Sequence, residues 1–325
     1  MFLTLTSADA AEPLRSWLVR EGIASRPLQG GRALLVTDPW VPPDLRRALA
    51  DHPAVVSVEE TVELPRLALT APAPAVHPGA LPLVAGPCAL ESLDHALETA
   101  DFLAGLGVRW LRGGTNKTRT SPRAFQGAGV EAADWLRLAA DRYGMRCVSE
   151  VTEGPDAEAI AERLDLVQIG ARNMHAPRFL QRIGRLGKPV LLKRGFAATP
   201  EEWLWAAEYL LDAGAPGVVF CERGMRTAAP LKRFTLDLAA VPFIQRMTAS
   251  PIWVDPSHAA GSAPYVAPLA RAAVAAGAQA VIVECHPDPA RACSDALQAL
   301  DFPAMTALAA DLRRLTPVCE KAGAL

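Results

Sequence analysis

The chain has 325 residues, of which 50% are hydrophobic, and its 33 basic and 35 acidic side chains leave a net charge of −2. That balance leaves no broad positive surface for nucleic acid, though a local basic pocket for a small anion stays open. The start, MFLTLTSADAAEPL, lacks the basic opening of a signal peptide, and the most apolar run, Leu269 to Val283, is broken by Arg271, Gly277 and Gln279 and is too short to cross a bilayer, so a soluble cytoplasmic protein with no membrane partner is expected.

FLTLT reads as a strand, and AEPLRSWLVREG as a helix with apolar positions at Leu14, Trp17 and Leu18 that stops at Gly22. SRPLQGGRALLVTD reads as two strands turning at Gly30 and Gly31, PPDLRRALADHP as a second helix, and AVVSVEETV as a closing strand. The order βαββαβ is that of a small α+β ferredoxin-like sandwich. Residues 66–82 concentrate proline and alanine and read as a linker. The expected division is a front domain over 1–68, a linker over 69–80 and a second domain over 81–325.

Beyond the linker, strand-like runs recur at LPLVAGPC, VRWLRGG, MRCVSEV, LVQIGA, PVLLKRG, GVVFCERG, PIWVDPSH and AVIVECHP. Helical stretches separate them, several closed by glycine before the next strand. The connection from Gly224 to Pro251 is the least regular. Eight such units predict an α/β domain of the (β/α)8 class, a TIM barrel, with an open doubly wound sheet as the alternative. The barrel is favoured because polar residues sit at the end of every strand, and in a barrel those ends share one mouth.

Two sets of residues occupy those ends. Arg112, Lys117, Arg119, Arg172, Lys193 and Arg223 form a cationic set, which in a shared cavity calls for multiply charged anionic ligands such as phosphates and a carboxylate. Taken one at a time, each reads equally well as a salt-bridged or solvent-facing side chain. Cys88, His258, Glu284 and Asp295 form a mixed thiol, imidazole and carboxylate set that suits a divalent first-row metal. Spacing alone leaves Cys88 open as a buried thiol and Asp295 as a helix cap. The other cysteines, Cys147, Cys221, Cys285, Cys293 and Cys319, form no CxxC pair and read as reduced thiols.

AGPCALES, LRGGTNKTRTSPRAFQG, IGARN, PVLLKRG, CERGMRT, VDPSHAAG and VECHPDP followed by SDALQ resemble, in order, the type I 3-deoxy-arabino-heptulosonate 7-phosphate (DAHP) synthases. The front domain resembles the ferredoxin-like (ACT-like) regulatory extension of one subgroup. The resemblance implies condensation of phosphoenolpyruvate with erythrose 4-phosphate and water to give DAHP and phosphate, the first step of the shikimate route to aromatic amino acids. It implies one divalent metal ion (Mn, Fe, Co, Zn or similar) held by Cys88, His258, Glu284 and Asp295. Arg112, Lys117, Arg172, Lys193 and Arg223 match phosphoenolpyruvate contacts. Arg119 and Thr120, with Ser121 beside them, match positions that hold the aldose phosphate. Lys117, Lys193, Glu150 and His258 are the catalytic candidates, and Asp255 a further substrate or metal-supporting group. A homotetramer and a tyrosine or phenylalanine effector are also implied.

The sequence departs from that pattern in three places. Thr118 stands where the family has proline, which removes a rigid φ from the loop toward the aldose. SAPYV after PSHAAG lacks the usual basic residues. The linker is short for the strand pair that commonly seals the barrel floor. The rivals are an octulosonate 8-phosphate synthase using a five-carbon aldose phosphate, and a non-catalytic aromatic amino-acid sensor; KTRTSP favours the four-carbon substrate.

Overall fold

The structure is a computed structural model that describes residues 1–28, 31–36, 41–59, 65–117, 121, 123–228 and 233–321. The front domain contains β1 (Phe2–Leu5), α1 (Ala11–Arg20), β2 (Ser25–Pro27), β3 (Ala33–Val36), α2 (Pro43–Ala50) and β4 (Val55–Glu59). Its antiparallel sheet has the order β2-β3-β1-β4. Alternation in β1 puts Leu3 and Leu5 on the helix-covered face, where Leu14 and Leu18 of α1 and Leu49 of α2 bury against them. The expected βαββαβ sandwich is therefore present.

Within the proline-rich stretch, α3 (Arg66–Thr70) is helical, with Ala68 and Leu69 buried. Its first amides, on Leu67 and Ala68, donate to the Glu208 carboxylate at 3.0 and 2.8 Å, which satisfies two donors that a helix start leaves open. The rest of the stretch runs across the barrel floor. Val76 enters the interior beside Trp110 and Trp253, and the Trp110 indole donates to the His77 carbonyl at 2.8 Å. This single segment fills the floor where the sequence suggested a strand pair was missing.

The second domain holds β5 (Leu83–Gly86), β6 (Trp110–Arg112), β7 (Arg146–Val151), β8 (Leu166–Ile169), β9 (Val190–Lys193), β10 (Val218–Glu222), β11 (Ile252–Val254) and β12 (Ala280–Glu284). They close into a barrel in chain order, every neighbouring pair parallel, so the open sheet is excluded. Around it lie α4 (Leu93–Gly105), α5 (Gly129–Arg142), α6 (Ala157–Glu162), α7 (Pro177–Gly184), α8 (Pro200–Asp212), α9 (Ala240–Met247), α10 (Pro256–Ala260), α11 (Ala263–Ala275) and α12 (Phe302–Lys321). The irregular connection after β10 holds α9 and a short antiparallel bridge between Met225 and Thr235. No helix among the described residues is long and apolar enough to cross a membrane.

Strand alternation builds the site. Residues facing outward, such as Leu111, Leu192, Val281 and Val283, pack against the helices. Residues facing inward, such as Trp110, Val148, Leu191, Cys221, Trp253 and Ile282, fill the lower interior. Two positions further along the same face stand Arg112, Glu150, Lys193, Arg223, Asp255 and Glu284. Because side chains repeat every second residue, six of the strands that bury an apolar residue low in the barrel raise a charged one at the mouth, whereas β5 follows Val84 with Gly86.

Candidate active site

Cys88 follows β5 and is buried just above the strand end. Two glycines let it sit there. A Cβ at Gly86 would lie 1.8 Å from the Arg112 carbonyl oxygen, and one at Gly114 would lie 2.2 Å from the Cys88 carbonyl oxygen. The LRGG run thus brings the β6 loop against Cys88 by omitting side chains. Lys117 Nζ reaches across this contact and donates to Cys88 Sγ at 2.8 Å and to its carbonyl at 3.0 Å.

Glu284 ends β12, fully surrounded. Its Oε1 accepts from Arg112 at 2.9 Å and faces His258 Nε2 at 3.5 Å. Asp295 adopts φ 50°, which turns its carboxylate back into the mouth; its Oδ2 accepts from the Cys88 thiol at 3.3 Å and lies 4.0 Å from His258 Nε2. His258 rides on α10, whose N-cap is Asp255. One Asp255 oxygen accepts from the His258 amide at 2.9 Å, and the other meets His258 Nδ1 at 2.6 Å. That leaves Nε2 to face the carboxylates. Lys193 Nζ contacts the same Asp255 oxygen at 2.5 Å.

Burial pushes these groups toward their neutral forms, and their neighbours decide the outcome. Burial would raise the Asp255 carboxyl, but His258 and Lys193 hold it well below the usual range. Burial would likewise raise Glu284, yet His258, Arg112 and Lys117 hold it low. For Cys88, burial and the Glu284 carboxylate push the thiol up to about 12 against the pull of Lys117. A thiol so placed ionises when a cation joins it.

The donor set fits such a cation. Ligand atoms of Cys88, Glu284 and Asp295 lie within 4.8 Å of one another, and His258 Nε2 faces both carboxylates. The separations match those across a small first-row ion. Asp255 behind His258 is the arrangement that orients metal-binding imidazoles. A second group, Glu91, His95 and His286, is also close-set. There the Asp288 amide donates to His286 Nδ1 at 3.0 Å, so the neutral ring carries its proton on Nε2 and offers a cation no lone pair at that atom.

Above this set opens a cavity of about 340 Å³ lined by Lys117, Ser121, Glu150, Arg172, Arg223 and Arg233, among others. Glu150 accepts from Gln168 at 3.1 Å. Phe196 and Phe234 stack on each other with ring centres 5.2 Å apart, and Arg223 lies against the pair, its guanidinium carbon 5.0 and 4.2 Å from their centres. Its one hydrogen bond among the described residues runs to the Gly224 carbonyl at 3.3 Å, and burial lowers its pKa against the pull of Asp255. Arg172 also lies over the Phe196 ring, its guanidinium carbon 5.6 Å from the ring centre. Arg119 and Thr120 lie outside the described residues, as does Thr118.

The structure therefore gathers Cys88, His258, Glu284 and Asp295 in one place and sets Arg112, Lys117, Lys193 and Asp255 directly around them, with Ser121, Glu150, Arg172 and Arg223 about the cavity. Sequence reading passed over Arg233, Gln298, Phe196 and Phe234. Arg233 and Phe234 lie in the least regular connection, and Gln298 in a loop with no periodicity. The RGF run after Lys193 was the one available signal, since it places Phe196 three residues beyond a strand end.

A closed parallel barrel with its charged groups collected at the C-terminal ends of the strands defines a barrel enzyme, with the chemistry at that mouth. Over residues 78–320 the chain matches the DAHP synthetase I family, and it belongs to that family. It is 48% identical over 237 residues to a phospho-2-dehydro-3-deoxyheptonate aldolase from Thermotoga maritima, covering 73% of this chain and 70% of the relative. It is 30% identical over 261 residues to a 2-dehydro-3-deoxyphosphooctonate aldolase from Magnetococcus marinus, covering 75% of this chain and 90% of that one. A crystal structure of the Thermotoga maritima DAHP synthase aligns over 98% of this chain and 96% of its own at TM-score 0.72 and 36% identity. A truncated form of the synthase from the same organism aligns over 73% and 86% at TM-score 0.68 and 44% identity. The alignment with the longer structure takes in the front sheet as well as the barrel.

Proposed function

We propose that the chain joins phosphoenolpyruvate to erythrose 4-phosphate with uptake of water, giving DAHP and inorganic phosphate. The observation that carries this reading is the meeting of Cys88, Glu284 and Asp295 with His258 beneath a cavity lined by Lys117, Arg172 and Arg223. The 48% identity to a heptonate-forming relative, against 30% to an octonate-forming one, supports the four-carbon aldose.

In this reading Arg112, Lys117, Arg172, Lys193 and Arg223 bind the phosphate and carboxylate of phosphoenolpyruvate and offset the repulsion between two anionic substrates. By the resemblance, Arg119, Thr120 and Ser121 hold the aldose phosphate. Cys88, His258, Glu284 and Asp295 would hold a divalent ion, which when bound would supply Lewis acidity for the aldehyde. C3 of phosphoenolpyruvate bonds to the aldehyde carbon, water adds at C2, and phosphate leaves with its bridging oxygen. Glu150 orients or deprotonates the water. Lys193, held by Asp255, handles a proton or acts through its charge alone.

The deciding experiment measures phosphate release with phosphoenolpyruvate and each aldose phosphate after metal replenishment. Turnover with erythrose 4-phosphate is expected. Turnover confined to arabinose 5-phosphate would move the chain to the octulosonate reading, and turnover with neither would favour a sensor. Oxygen-18 water should label the C2 oxygen of the product; label found only in phosphate contradicts carbon–oxygen cleavage.

The front domain, on the same resemblance, is the seat of feedback inhibition by tyrosine or phenylalanine in a cytoplasmic homotetramer. Removing residues 1–64 leaves α3 on its Glu208 anchor and should abolish inhibition while turnover persists. Inhibition that survives the truncation removes this role.

A further inference from the structure

Gln298 lies in the turn that follows Asp295, its amide nitrogen bonded to the Asp295 carbonyl at 3.2 Å, and its side chain is 2% exposed. The side chain points at Glu284. Its Nε2 donates to Glu284 Oε2 at 2.5 Å, on the oxygen opposite the one that faces Arg112 and His258. Its Oε1 accepts from Arg233 NH1 at 3.2 Å. Arg233 is a donor only and an ionised carboxylate an acceptor only. Both neighbours therefore demand the same amide orientation, nitrogen toward Glu284 and oxygen toward Arg233. Arg233 Nη1 also lies 3.9 Å from Asp295 Oδ1, so one guanidinium stands near Asp295 and reaches Glu284 through the Gln298 amide.

We propose that Gln298 is the positioning residue for the Glu284 carboxylate, with its amide set by Arg233. The inference rests on reading Cys88, His258, Glu284 and Asp295 as one metal site. Glu284 is buried, so each oxygen needs a donor or a cation. Arg112 serves Oε1. Without a second donor the carboxylate is free to swing both oxygens onto Arg112, away from His258 and Asp295. Gln298 pins Oε2 and leaves Oε1 directed at the other donors. A neutral amide does this without altering the charge of the set, which a lysine at the same place would reduce by one. The turn that delivers Asp295 thus also delivers the group that aims Glu284.

The test is cobalt(II) affinity of the full chain, measured by competition with a chromogenic chelator. The apo-protein melting temperature and the visible cobalt spectrum are recorded alongside. Gln298→Met keeps the volume and removes the donor. It should weaken cobalt binding by about tenfold to a hundredfold, the usual effect of losing such a partner, and should alter the ligand-field bands. Arg233→Met, at a half-exposed position, leaves the amide in place but unanchored and should weaken binding less, in the same direction. Affinity within twofold of the parent in both variants overturns the proposal. So does a lowered apo melting temperature with unchanged affinity, which would make Gln298 a packing residue. Should Gln298→Met fail to fold, Arg233→Met decides alone. A parent chain that binds no cobalt removes the metal site itself, whereas a parent that binds it and variants that match it remove only this inference.

Discussion

Asp255 Oδ2 stands 2.6 Å from His258 Nδ1, and the same oxygen is 2.5 Å from Lys193 Nζ. One carboxylate therefore directs an imidazole toward Glu284 and Asp295, the proposed metal ligands, and holds an ammonium group at the strand end beside it. Asp255→Asn keeps the size but presents a neutral amide to both partners. Metal affinity should fall by about tenfold to a hundredfold, together with turnover, as read by cobalt competition and phosphate release. Equal affinity in the variant would mean that His258 needs no such support.

Metal removal gives a simpler expectation. Exhaustive chelation should abolish phosphate release, and added manganese, cobalt or zinc should restore it to differing degrees, since the donor set does not select strongly among first-row ions. Cys88→Ser should bind these ions more weakly and recover little activity. Full turnover in the chelated protein would contradict the role given to Cys88, Glu284 and Asp295.

Gly114 makes a steric prediction. Its missing Cβ would fall 2.2 Å from the Cys88 carbonyl oxygen and 3.3 Å from Lys117 Cδ. Gly114→Ala must push the two loops apart, at about 1–3 kcal/mol of stability, the usual range for overpacking. Activity should drop further than stability does, because the displaced groups are Cys88 and Lys117. Thermal melting and kinetics on the same preparation separate the two effects; a variant with parental kinetics would show that the loops yield without cost.

The stacked pair of Phe234 and Phe196 supports Arg223, whose guanidinium carbon lies 4.2 and 5.0 Å from their ring centres. Such contacts are worth about 0.5–2 kcal/mol, so Phe234→Ala should raise KM for phosphoenolpyruvate roughly 2- to 30-fold. Affinity at the proposed metal site should not change, since Arg223 is not among Cys88, His258, Glu284 and Asp295. A KM that stays put would show that Arg223 is aimed by the backbone alone.

His95 is buried against His286, with ring centres 4.5 Å apart, and neither of its nitrogens has a hydrogen-bond partner among the described residues. Burial, then the neighbouring His286, lowers its pKa from 6.5 to about 4. The native ring stays neutral where the unfolded one would take a proton. Between pH 6.5 and about 4 the unfolded chain binds more protons, so this stabilisation is complete above the window and is lost as pH falls through it. The effect is at most about 3 kcal/mol. Denaturant melts at pH 7.5 and 5 should therefore converge for His95→Gln relative to the parent. A parental pH slope in that variant would assign the acid sensitivity elsewhere.

Much of the barrel is visible in local pattern. Trp110 with Arg112, Leu191 with Lys193, and Ile282 with Glu284 are each two residues apart, so a strand that buries the first must raise the second on the same face. Eight strands with helices between them, several stopped by glycine, favour closure over an open doubly wound sheet through their polar ends, and the closed barrel makes distant strand ends neighbours. The motifs added the ligand and substrate roles, through likeness and not through spacing. The floor was harder to foresee, because a proline-rich run carries no periodicity to announce that Val76 enters the barrel or that residues 66–70 form a helix on Glu208.

The sequence by itself determined the two domains' patterns, the succession of strands along the chain and the polar residues at the strand ends, because alternation and capping are properties of neighbouring residues. Only the tertiary structure decided which partners those residues meet. Arg233 against Gln298 joins loops 65 residues apart, while Gln298 against Glu284 and Phe234 against Arg223 fold irregular loops back on their own strand ends; such contacts depend on how the closed barrel sets its loops in space, which no local rule encodes.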